Sequence, residues 1–105
     1  MERLIRDYRS QSVRLTDERI EHIVTQHPEV ARLGVQAIED TLRHPDAVIV
    51  PLAAPDDRFY YRHHRGTEFG DKLLCVVVKS AEEFVVTAYV TTRQKKGVQV
   101  WPATI

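Results

Sequence analysis

The chain has 105 residues, 43% hydrophobic and 29% charged, with fifteen Lys and Arg balanced by fifteen Asp and Glu. That length suits one core and is too short for two, and a formal net charge of zero argues against a molecule wrapped in positive field. No apolar run approaches the roughly 20 residues of a membrane span, MERLIRDYRS lacks a secretory apolar segment, and the lone Cys75 lies within LLCVVV, so a reducing, cytoplasmic location is expected, with Cys75 as inert packing.

In chain order, SVRL reads as a short extended piece. Thr16 is a good N-cap, and Asp17 and Glu18 follow in a first turn where the helix dipole favours anions. The spacing predicts a first helix over Asp17–Gln26, with Ile20, Ile23, Val24 and His27 on its buried stripe. Pro28 disfavours helical geometry at His27 and is itself a good first helical residue, so the chain turns there. A second helix is expected to follow, carrying Ala31, Val35, Ile38 and Leu42 on one face and stopping near His44, again before a proline.

The period then changes. AVIVPL, RFYYRHH, KLLCVVVK and EFVVTAYVT are four strand-like runs separated by AAPDD, RGTEFGD and SAEE, and their short connections favour an antiparallel meander. VQVW adds a further edge strand after the RQKKG loop. Helices first and strands after predict an α+β layer structure, two N-terminal helices on one face of a four- to five-stranded antiparallel sheet, with the other face partly open. The whole of 1–105 forms one domain, its core over about 13–101.

Strict alternation through VVTAYVT puts Phe84, Val86, Ala88 and Val90 toward the helices, and Val85, Thr87, Tyr89 and Thr91 outward. Neighbouring strands contribute Tyr61 and His63, or Tyr60 and Arg62, according to a register the pattern does not fix. Lys79 ends CVVVK. Every acidic residue lies at or before Glu83, so Arg93, Lys95 and Lys96 have no carboxylate near them in sequence. Lysines at a strand end also serve simply to discourage edge pairing. A surface holding aromatics, hydroxyls, imidazole and cations together suits single-stranded RNA, whose bases stack on rings while Arg and Lys hold phosphates.

RLTDERIEHIVTQHPEV, DDRFYYR, KLLCVVVK and FVVTAYVTTRQKKG, in that order over about residues 13–97, resemble the phage-associated nuclease-like domains of the barnase/EndoU/colicin/RelE (BECR) superfamily, which includes toxins. The chain departs from a RWEHI pattern by carrying Ile20 before EHI. The resemblance implies two helices on a four-stranded antiparallel sheet and metal-independent cleavage of RNA through a 2′,3′-cyclic phosphate, with no cofactor or metal. It assigns His22 of EHI, His27 of HPE, Thr87 and Tyr89 to the catalytic set. Tyr61, Arg62, Lys79, Arg93, Lys95 and Lys96 then bind substrate. Histidine suits proton transfer near neutrality, and cations stabilise the phosphorane; which histidine is the base stays open. RNA is the expected partner, with an antitoxin or immunity protein in the toxin case and at most a weak homodimer through the VQVW edge. The alternative is a non-catalytic RNA- or protein-binding module on the same face.

Overall fold

The computed structural model describes residues 2–67 and 70–103. The chain opens with an antiparallel hairpin, β1 (Glu2–Arg6) and β2 (Ser12–Thr16), in register from Glu2 opposite Thr16 to Arg6 opposite Ser12. Ile5, Val13 and Leu15 turn inward and are buried. Thr16 ends β2 and starts α1 (Asp17–Gln26), its hydroxyl accepting the Arg19 N–H at 3.1 Å. Pro28 begins α2 (Pro28–Leu33), and Gly34 separates it from α3 (Val35–Arg43).

Five strands follow: β3 (Ala47–Pro51), β4 (Asp57–Thr67), β5 (Gly70–Lys79), β6 (Phe84–Thr91) and β7 (Gly97–Trp101). Strands β3 to β6 form an antiparallel meander, as their short connections dictate. The complete order is β1-β2-β6-β5-β4-β3-β7, with β2 parallel to β6 at Arg14 opposite Phe84 and β7 antiparallel to β3.

This layout corrects the expected two N-terminal helices on a four- to five-stranded antiparallel sheet. Among the described residues there are seven strands in a mixed sheet and three short helices, and a β-hairpin precedes the helices. The hairpin escapes notice because only Ile5 in β1 is buried, leaving Glu2, Arg3, Leu4 and Arg6 exposed and no alternation to read. The expected single second helix is two because Gly34 adopts φ 93° and ψ 152°, a conformation that stops a helix and is costly for any residue with a Cβ.

The helices cover one face of the sheet. Ile23, Val30, Ala37, Ile38 and Leu42 pack there against Val48, Tyr60, Leu74, Val76, Val78, Val85 and Ala88. The opposite face holds a second buried cluster of Ile49, Phe59, Tyr61, Leu73, Cys75 and Val77, with Val86 and Tyr89 against it. At about 1.5–3 kcal/mol for each large side chain removed from water, both clusters contribute to holding the sheet.

A bulge in β6 alters the expected alternation. Val77 pairs with Thr87 but Val78 pairs with Val85, so Val86 is the extra residue. Val85 therefore enters the helix-side core and Val86 joins the far-side cluster, while Thr87, Tyr89 and Thr91 oppose Val77, Cys75 and Leu73 on that far side.

The far face is also less open than the pattern implied. Through the antiparallel chain of pairs, β7 runs parallel to β6, and its start, Gly97 opposite Pro51, lies at the opposite end of the sheet from Thr91. The connection over residues 92–96 must therefore cross the sheet diagonally. It is fixed on the way: the Lys95 N–H donates to the Tyr61 hydroxyl at 2.9 Å, and the Lys96 carbonyl accepts the Leu52 N–H at 3.1 Å.

Candidate functional site

The far face of β6 and the junction of α1 with α2 meet at one edge. Strand β2 pairs with β6 only at Arg14–Phe84, so the rest of that β6 edge is flanked by the two helices instead. His27 caps both helices, with φ −132° and ψ 78° forced by the following proline, and its half-buried ring lies 6.1 Å centroid to centroid from Tyr89. Its Nδ1 is 3.5 Å from the Glu29 carboxylate in the first turn of α2.

Behind Tyr89 stands Cys75, directly opposite it on β5, and behind Cys75 stands Tyr61, directly opposite on β4. Burial pushes the Cys75 thiol up to about 12, against the opposing pull of the Tyr89 and Tyr61 hydroxyls that bond to it. It is therefore a neutral packing group rather than a nucleophile. Burial likewise raises both phenols well above their ordinary value, with Cys75 reinforcing the shift at Tyr89, so each hydroxyl keeps its proton throughout the neutral range.

The crossing segment supplies positive charge on this side. Arg93, Lys95 and Lys96 are exposed, while the backbone that carries them is held by the Lys95 amide on Tyr61 and by the Arg93 amide on the Thr91 hydroxyl at 3.3 Å. A held backbone that presents exposed cations can engage a polyanion without first ordering the chain that carries them.

Among the residues singled out from the sequence, His27, Thr87, Tyr89, Arg93, Lys95 and Lys96 thus belong to the far face or its edge. Tyr61 is on the same face but wholly buried, so it holds the crossing segment and offers no ring for stacking. Arg62 is on the helix side, opposite Leu74, where its Nη1 donates to the His44 carbonyl at 2.5 Å. Lys79 is exposed at the end of β5 away from Thr91, in a depression shared with Asp56 and Glu82. His22 is exposed on α1 in a shallow depression with Glu18, Arg19 and Glu21, where two carboxylates face one guanidinium, company less suited to a phosphate than the far face. The residue missed is Glu29: it stands two positions after His27 across a helix-starting proline, which was the available signal.

Comparison with protein-family models, with curated proteins and with solved structures yields no match to this chain. No helix among the described residues is long and apolar enough to cross a membrane.

Proposed function

We propose that this chain is a metal-independent, toxin-like endoribonuclease acting in the cytoplasm on single-stranded RNA. The observation that carries the reading is the His27 ring against Tyr89, with the Glu29 carboxylate at Nδ1. Glu29 orients the imidazole and directs proton transfer to Nε2. In the reaction the RNA 2′-hydroxyl gives its proton to His27, the 2′-oxygen attacks phosphorus, and the 5′-oxygen departs with a proton from solvent, leaving a 2′,3′-cyclic phosphate.

The remaining roles follow from placement. Thr87, half-buried two residues before Tyr89 on the same face, donates its hydroxyl to a phosphate oxygen. Tyr89 acts as a positioning residue, since its own hydroxyl is engaged with Cys75 and its ring borders His27. Arg93, Lys95 and Lys96 hold the flanking phosphates and offset the charge that develops on the phosphorane. His22 is given no part.

Purified protein incubated with single-stranded RNA and EDTA should release fragments with 2′,3′-cyclic phosphate ends. His27→Ala should lower the rate by about 100-fold or more, the scale of a lost general base, while His22→Ala stays near the parent. RNA that remains intact at enzyme excess, yet is bound tightly, overturns catalysis and leaves the binding module.

A further inference from the structure

On the helix side of the sheet lies an open cleft of about 680 Å³ that the nuclease reading does not use. Its wall is assembled from distant parts of the chain: Arg6 ends β1, Arg43 belongs to the last turn of α3, Arg62 projects from β4, and Trp101 ends β7 opposite Val48. The volume falls within the range of small-molecule sites.

Trp101 is unusual in that setting. Its indole packs on Tyr8 with centroids 5.1 Å apart and planes inclined by 34°, and Tyr8 in turn meets the edge of Tyr60 at 5.9 Å. The indole is thus backed by a stack of rings and is still 40% exposed. An exposed, supported indole presents a flat face on which another ring can lie.

The charge balance of the wall is positive. Two carboxylates share it, and both are occupied. Asp7 accepts the Tyr60 hydroxyl at 2.6 Å, the Arg9 guanidinium at 2.9 Å and the Arg9 and Gln11 amides. Asp46 accepts the His63 amide at 2.7 Å. The C-terminal end of α3 would repel an anion, but Arg62 covers its capping carbonyl at His44. Arg6 and Arg43 are exposed, and among the described residues the ion-pair contact of Arg43 is a long 3.9 Å approach to Glu39. Guanidinium groups match phosphate geometry in two-point contacts, which the occupied carboxylates of the wall leave Arg6 and Arg43 able to make.

We propose that this cleft binds a nucleotide phosphate, its phosphate held by Arg6 and Arg43 and its base stacked on Trp101. The ligand is either a free mononucleotide or the phosphorylated end of a nucleic-acid chain; both present the same phosphate and base. The site uses none of His27, Glu29 or Tyr89, so it stands apart from the nuclease reading.

Trp101 is the only tryptophan in the chain and reports on its own site. The full chain is titrated at low ionic strength with AMP, with inorganic pyrophosphate, and with a short oligodeoxynucleotide carrying or lacking a 5′-phosphate. AMP should change Trp101 emission saturably with a Kd below about 1 mM. The Arg6→Ala/Arg43→Ala double variant, altered only at exposed side chains, should bind at least about tenfold more weakly. Trp101→Leu, followed by calorimetry, should bring AMP affinity down to that of pyrophosphate. A phosphorylated oligomer binding more tightly than AMP assigns the ligand to a chain end, and equal binding assigns it to the free nucleotide. No saturable change with AMP, or equal binding by parent and double variant, overturns the proposal.

Discussion

Asp7 is a fully buried carboxylate in a closed ring of side chains: Tyr60 donates to it, Arg58 donates to Tyr60 and to Glu83, and Arg9 joins Glu83 back to Asp7. Tyr60→Phe removes the 2.6 Å donor and strands part of two buried charges, so it should cost about 1–3 kcal/mol of stability, read as a lower urea midpoint. A midpoint equal to the parent would mean that the remaining donors satisfy Asp7. A second residue gives a pH signature. His64 lies below its ordinary value, first through burial and then through the neighbouring Arg62, and its buried Nε2 has no hydrogen-bond partner among the described residues. The neutral ring is therefore favoured in the fold, and the unfolded chain binds the extra proton. Stability from this residue is complete above about 6.5 and is lost as pH falls from there through the lowered native value. His64→Gln should flatten the slope of unfolding free energy between about pH 5 and 7; an unchanged slope would assign it elsewhere. At this scale His27 was legible, because a histidine on an apolar stripe before proline is a local pattern. Glu29 and the Asp7 ring were not, since polar partners are fixed by tertiary proximity.

Individual elements carry their own tests. Thr16 is the N-cap of α1, and Thr16→Ala should destabilise by about 1 kcal/mol through loss of its bond to the Arg19 amide. Gly34 is the more severe case. A Cβ there would meet nothing within 4 Å, so the cost of Gly34→Ala is backbone strain alone at φ 93°. That places it at about 1–3 kcal/mol, with the denaturant slope unchanged because the surface exposed on unfolding is the same. A loss well under 1 kcal/mol would show that α2 and α3 merge without penalty. The bounds of α1 follow its sequence signals: Thr16 caps its start, Asp17 and Glu18 fill its first turn, and Pro28 stands just beyond its end. The α2–α3 break was written in the sequence as Gly34 but was overridden by the apolar spacing of Val35, Ile38 and Leu42. The β6 bulge left no such mark. Val85 and Val86 are chemically alike, and only the pairing with Val77 and Val78 decides which one faces the helices.

Across the whole molecule, the antiparallel meander β3–β6 follows from short connections, whereas the parallel contact of β2 with β6 and the placing of β7 outside β3 bring together segments far apart in sequence. No local period encodes those choices. They matter most for the crossing segment, because residues 92–96 are tied at one end by β6 and at the other by the β3–β7 pair. Gly97 is where that second tie is closest: a Cβ there would run into the Val50 carbonyl oxygen and stand 2.7 Å from the Pro51 Cα, backbone that cannot swing aside. Gly97→Ala should therefore loosen β7 from β3, costing about 1–3 kcal/mol by overpacking. Hydrogen exchange should locate the damage, with faster exchange at β7 amides and at the Lys95 amide, while β4 and β5 amides keep their order of protection. Loosening the segment should also lower RNA affinity, since Arg93, Lys95 and Lys96 would lose the anchored backbone that gathers them. Parent-like exchange at Lys95 in Gly97→Ala would instead mean that the Tyr61 hydroxyl holds the segment without help from β7. The cations of the candidate site would then depend on β4, in the interior of the sheet, rather than on its edge.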